Sequence, residues 1–88
     1  TGALALEQNR PNPANTITEI EYETNEDGHV QLVIADMKGN IVARLVDGET
    51  SFGRYLVRYD VSDLSSGTYV IRLNTPGGML SRLMQVSN

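Results

Sequence analysis

The sequence predicts a small all-β fold, an Ig-like antiparallel sandwich of about seven short strands, on three observations. Apolar residues nowhere recur at the i, i+3, i+4, i+7 spacing of an amphipathic helix over a window of about 11 residues. What recurs is alternation over short runs: between Arg54 and Val61, Tyr55, Val57, Tyr59 and Val61 share one phase, and Leu56, Arg58 and Asp60 take the other. Turns, most of them carrying glycine, interrupt these runs about every 10 to 14 residues. A small barrel is the runner-up architecture.

The first strand is expected from Leu4 to Gln8, followed by Pro11 and Pro13, which lack an N–H and fix φ and so suit an edge or a lead-in. Thr16 to Thr24 places Ile20 and Tyr22 on one face and Glu19, Glu21 and Glu23 on the other, so one side is wet. Asn25-Glu26-Asp27-Gly28 has turn chemistry, with Asp27 able to bond its own backbone, and predicts a hairpin into the next strand. That strand, His29 to Met37, points Val30, Leu32 and Ile34 inward and Gln31 and Val33 outward. Asp36-Met37-Lys38-Gly39-Asn40 then reverses the chain into Ile41 to Val46, the strongest hairpin signal present, and Asp47-Gly48-Glu49 is expected to close that strand.

After Arg54 to Val61, Leu64-Ser65-Ser66-Gly67 leads into Thr68 to Asn74, where Tyr69, Ile71 and Leu73 face in and Val70 and Arg72 face out. Pro76-Gly77-Gly78 turns into a last strand, Met79 to Val86, with Leu80, Arg82, Met84 and Val86 on one side and Leu83 on the other. The expected organisation is a single domain over 1–88, with 1–15 as first edge strand and Pro-rich lead-in and 16–88 as sandwich body. A chain of this length has surface enough to bury one core.

Composition removes several function classes. The 11 acidic and 7 basic residues give a net charge of −4 with no run of Lys or Arg, which argues against nucleic acid as a partner. Cys is absent, so neither disulfides nor thiolate metal sites are available. No apolar stretch approaches the length of a membrane-spanning helix, and no leader-like segment is seen. The start at Thr1 instead of Met is read as processing or excision from a longer protein.

No set of residues reads as a catalytic, cofactor-binding or metal site. The single histidine, His29, sits where a strand begins beside a turn and is read as a strand-edge residue, and it cannot build a zinc site without further nitrogen or sulfur ligands. Glu26-Asp27-Gly28 and the pair Asp60 and Asp63 lack the spacing that wraps calcium in one loop. Gly77-Gly78 precedes a strand, not a helix N-terminus, so no phosphate cradle is expected there. Tyr22, Tyr55, Tyr59 and Tyr69 fall on inward phases and are assigned to the core, leaving Phe52 as the one aromatic expected at the surface.

Three blocks taken in order resemble the C-terminal sorting domain of proteins exported by the type IX secretion system of Bacteroidetes-type bacteria. Leu6-Glu7-Gln8-Asn9-Arg10-Pro11-Asn12-Pro13-Ala14-Asn15 is similar to the family's Q-N-x-P-N-P-x-N opening. Gly28-His29-Val30-Gln31-Leu32, Asp36-Met37-Lys38-Gly39 and Val42 resemble its G-x-V-x-L…D-x-x-G-x-x-V hairpin. Leu64-Ser65-Ser66-Gly67-Thr68-Tyr69-Val70-Ile71-Arg72-Leu73 is similar to its L-x-S-G-x-Y-x-x-R-L block. Arg10 and Ala14 depart from the pattern, standing where the family usually has aromatic residues, and Ser81 to Val86 keeps one basic residue where many members have several.

The resemblance implies an Ig-like address read by the outer-membrane type IX translocon, with a sortase-like peptidase cleaving ahead of it and upstream cargo in the same precursor. It implies passage through the periplasm, then the outer-membrane surface or the medium. By the same resemblance Gly67, Tyr69, Arg72, Leu73, Gly78, Arg82, Leu83 and Val86 form the recognition end. On physical grounds Met79 to Val86 is the expected readable strand, offering a sheet edge for strand addition. Uncovered edges also leave room for a strand-paired dimer. The alternatives are an Ig-like spacer or adhesive module, or a carbohydrate-binding accessory module using Phe52; a chain ending at Asn88, just after Val86, fits the sorting reading better.

Overall fold

The computed structural model describes residues 4–87; Thr1 and Asn88, to which the expectations about processing and chain end attach, lie outside the described residues. The strands are β1 (Ala5–Leu6), β2 (Ile17–Thr24), β3 (Gly28–Asp36), β4 (Ile41–Thr50), β5 (Gly53–Asp60), β6 (Gly67–Thr75) and β7 (Gly78–Val86). They form a three-stranded sheet in the order β1-β2-β5 and a four-stranded sheet in the order β4-β3-β6-β7, with every neighbouring pair antiparallel. Two antiparallel sheets face to face are the sandwich that alternation predicts, in an Ig-like arrangement.

Alternation dictates which side chains meet between the layers. Ile20 and Tyr22 from one sheet and Val30, Leu32, Ile34, Ile71, Leu73 and Met84 from the other are buried in one cluster, joined by Val61 and by Ala14 from the N-terminal segment. The Tyr22 and Tyr55 rings stack with centroids 5.4 Å apart. Burial, and next the Tyr55 phenol, push the Tyr22 phenol above its ordinary pKa.

Tyr69 Oη donates to Ser65 O at 2.7 Å, and Tyr55 Oη donates to Ser51 O at the same distance. Each tyrosine thus ties a strand to the loop that precedes it, four residues upstream, and satisfies its hydroxyl where the ring enters the core.

The β3–β4 hairpin forms at the expected turn. Asp36 Oδ1 accepts from the N–H groups of Lys38 and Asn40, both at 2.9 Å, and Gly39 takes φ +92°, a conformation that L side chains rarely adopt. These bonds to the ionised carboxylate, first among them the one from the Asn40 N–H, hold Asp36 below the usual aspartate pKa.

Three expectations need correction. The hairpin between the second and third strands does not form: β2 pairs with β1 and β5, β3 pairs with β4 and β6, and the chain crosses from one sheet to the other at 25–27. Turn residues specify a reversal but not the partner, and the register from Ile17↔Asp60 to Thr24↔Gly53 gives all of β2 to β5. Asp27, expected to bond its own backbone, accepts instead from the Phe52 N–H at 2.8 Å, which fastens this crossing to the β4–β5 loop.

The second correction is the end of β4. That strand continues through Asp47-Gly48-Glu49 to Thr50, because β3 starts at Gly28 and pairs Gly28↔Thr50 through Gln31↔Asp47. The third is β1, which has two residues where Leu4 to Gln8 was expected.

Candidate recognition surface

The eight expected recognition residues all fall on β6 and β7. These strands form one hairpin whose register runs without a slip from Thr75↔Gly78 to Gly67↔Val86. Thr75 shapes its turn: the hydroxyl accepts from the Gly77 N–H and donates to Gly78 O, each at 3.1 Å. The turn packs on the β2–β3 crossing so closely that a Cβ on Gly28 would collide with Pro76, and one on Gly77 would lie 2.5 Å from Asn25 Oδ1.

Alternation divides the eight residues. Tyr69, Leu73 and Val86 point inward and are buried. Gly67 and Gly78 open the two strands and are exposed. Arg72 and Leu83 lie on the outer face, with Arg72 half-buried and Leu83 55% exposed. Arg82 lies opposite Ile71 in the inward phase, but at the sheet margin its Nε donates to Leu6 O of β1 at 2.8 Å. This bond bridges the two sheets beside a groove of about 280 Å³ lined by Leu4 to Glu7 and Leu80 to Arg82.

The β7 edge, expected to be open for strand addition, is occupied over its C-terminal half by the N-terminal segment. Gln8 Nε2 donates to Leu83 O at 2.6 Å, Asn12 Oδ1 accepts from the Gln85 N–H at 2.9 Å, and Ala14 N–H donates to Gln85 O at 2.8 Å. Ser87 N–H closes the run by donating to Ala14 O at 2.9 Å. Beneath this strap Asn9 is fully buried, its Nδ2 donating to Pro11 O and Thr18 Oγ1, both at 3.0 Å. Gln8, Asn9 and Asn12 were therefore legible as a motif but not as the pins that seat the strap on β7. The signal that would have found them is their spacing around two prolines, which removes local backbone donors and leaves amide side chains to make long-range bonds.

The outer faces of the two sheets differ. On the three-stranded sheet Arg58 pairs with Glu19 at 3.6 Å, Arg54 with Glu21 at 3.2 Å and Glu23 at 3.8 Å, and Arg10 with Glu21 at 3.4 Å. Each of these arginines meets a carboxylate on its own face, and Leu56 stands exposed among them.

On the four-stranded sheet the register aligns Ile41, Ala35, Val70 and Leu83 in one row and Arg44, Val33, Arg72 and Ser81 in the next. Val33 and Ala35, at the centre, are buried although they face outward, while Ile41 and Leu83 at the margins are exposed. Neither Arg44 nor Arg72 makes an ion pair among the described residues.

His29 Nε2 lies 2.7 Å from Asp47 Oδ1 across β3 and β4, and this bond, with a second from Gln31, lowers the Asp47 pKa. Phe52 is 58% exposed in its loop. Among the described residues no cluster of three or more His, Cys, Asp or Glu is placed to hold a metal ion.

Fold and surface together define a small all-β sandwich whose distinctive positions are borne on the β6–β7 hairpin, three of them buried in the core and the others at the surface or half-buried. The model of a secretion-system C-terminal sorting domain matches residues 10–86. The chain belongs to that family, the sorting domains of type IX secretion. No match was found among curated proteins.

Proposed function

We propose that the chain is an address: the outer-membrane type IX translocon reads it and exports the cargo that precedes it in the same precursor. The supporting observation is the family match over nearly all of the described residues. On this reading the precursor crosses the periplasm, a sortase-like peptidase cuts ahead of the domain, and the cargo is attached to the cell surface or released.

The eight expected residues then divide by task. Tyr69, Leu73 and Val86 keep the hairpin seated in the core, Gly67 and Gly78 set its ends, and Arg72, Arg82 and Leu83 are within reach of a receptor. With the C-terminal half of the β7 edge taken by the strap, side chains on the sheet face carry more of the recognition than main-chain addition there.

The test fuses this domain to a periplasmic reporter in a type IX-competent cell. Surface-accessible reporter, lost when the domain is omitted, is the expected result. Reporter that stays periplasmic with the domain intact counts against the proposal.

A further inference from the structure

We infer that the outer face of the four-stranded sheet is a docking surface for a protein partner presenting apolar side chains bordered by carboxylates. Resting on the export reading above, that partner is a receptor of the outer-membrane translocon.

The row Ile41, Ala35, Val70, Leu83 runs across all four strands, roughly 14 Å at the usual strand spacing. It is a continuous apolar stripe, exposed at both margins by Ile41 (43%) and Leu83 (55%). The adjoining row sets Arg44 and Arg72 on either side of Val33.

Charge decides which partner fits. The chain carries 11 acidic residues against 7 basic, so carboxylates are plentiful, and on the opposite face Arg10, Arg54 and Arg58 have all found one. Among the described residues Arg44 and Arg72 have none within ion-pair distance, although Asp47 follows in the next row and senses Arg44 at longer range. Arginine is enriched at protein interfaces and the buried centre of such a patch is more apolar than the surface around it, which is the arrangement an apolar stripe flanked by arginines without an ion pair offers. A complementary partner supplies apolar groups to the stripe and acidic groups to the arginine row.

A second copy of the chain fits less well. A two-fold contact brings the same patch from both copies into one interface, which would then hold two Arg44 and two Arg72 with no carboxylate paired to them, and the two copies would each bring a net charge of −4.

The experiment places a photo-crosslinking amino acid at Leu83, and separately at Leu56 on the opposite face, in the reporter fusion. Folding of each variant is confirmed by circular dichroism. The expected result is one protein adduct from Leu83, identified by mass spectrometry as an outer-membrane export component linked through an acidic segment, and absent from Leu56. In Arg44→Glu/Arg72→Glu its yield falls by more than about tenfold, as like charges meet across the contact.

Equal adducts from both faces, an adduct of the chain with itself, an adduct with lipid, or no adduct while the reporter reaches the surface would each overturn the inference. If the unaltered fusion stays periplasmic, the export reading fails separately. The face is then tested by titrating the domain with a synthetic peptide of alternating Leu and Glu: shift changes at Val70, Arg72 and Leu83 uphold an acidic-apolar docking surface, and none overturns it.

Discussion

The outward phases of the two sheets follow the same period of two and end in opposite states. On β2 and β5 that phase carries Glu19, Glu21, Glu23, Arg54 and Arg58, and the charges satisfy one another on the face. On β3, β6 and β7 it carries Val33, Ala35, Val70 and Leu83, so the middle of the face is closed by neighbouring side chains while Arg44 and Arg72 make no ion pair among the described residues. The first face pairs its charges within the domain, and the second leaves Ile41 and Leu83 exposed beside arginines without an ion pair among the described residues, the arrangement on which the docking inference rests. A strand's outward phase is thus not simply the solvent phase, and its chemistry tells which of these cases holds.

The largest expected difference between the faces is in stability. Val33→Glu puts a charge at a position that is 6% exposed and lowers unfolding free energy by at least about 2 kcal/mol. Glu21→Gln, central on the other face, shifts it by only about 0.5 kcal/mol, because exposed ion pairs contribute little. Urea midpoints of the two variants check this, and equal losses would erase the contrast.

Next is the strap that joins the sheets. Asn9→Ala removes two bonds from its buried amide and leaves the Thr18 hydroxyl and the Pro11 carbonyl only their bond to each other, at a cost of about 1–2 kcal/mol. Amide exchange at Gln85 and Ser87 should quicken more than at Ile71, since their bonds to Asn12 and Ala14 depend on the strap staying seated.

The two tyrosine hydroxyls sharpen the comparison further. Tyr69→Phe, in the four-stranded sheet, removes a bond made beside a ring that is only 8% exposed and costs about 1 kcal/mol. Tyr55→Phe removes the same bond in a more exposed setting and costs less, as thermal melts of the two variants will show.

The smallest effect is with pH. Asp36 has its pKa lowered in the folded state, so its contribution is present above the unfolded value of about 3.9 and is lost as pH falls through the lower folded value. An NMR titration of its carboxyl carbon should give a midpoint below that ordinary value, and Asp36→Asn should flatten the acid side of the stability profile.

Much of this architecture was written locally. The Asp36-to-Asn40 turn, the phase of Tyr55 to Val61 and the in-out pattern of Thr68 to Asn74 were legible because each depends on neighbours within a few residues. Partner choice was not: the run from Asn25 to Gly28 reads as a hairpin turn whether the next strand joins the same sheet or crosses to the other. The reach of β4 to Thr50 was hidden because Asp47-Gly48-Glu49 has turn composition and is held extended by β3. The covering of β7 by Gln8, Asn12 and Ala14 rests on bonds spanning more than seventy residues, beyond any local pattern. Leu83 was seen to break the phase of its strand, and the register shows why, since it extends the outer row of Val70 and Ala35.

One measurement bears most directly on the account: the surface-to-periplasm ratio of a reporter carrying two matched variants. Arg44→Gln/Arg72→Gln/Leu83→Gln and Arg54→Gln/Arg58→Gln/Leu56→Gln change composition and charge identically on opposite faces. With both domains shown to be folded, export should fall by more than about tenfold for the first and stay within about twofold of the unaltered domain for the second. Equal export from the two, or a loss confined to the second, would contradict it.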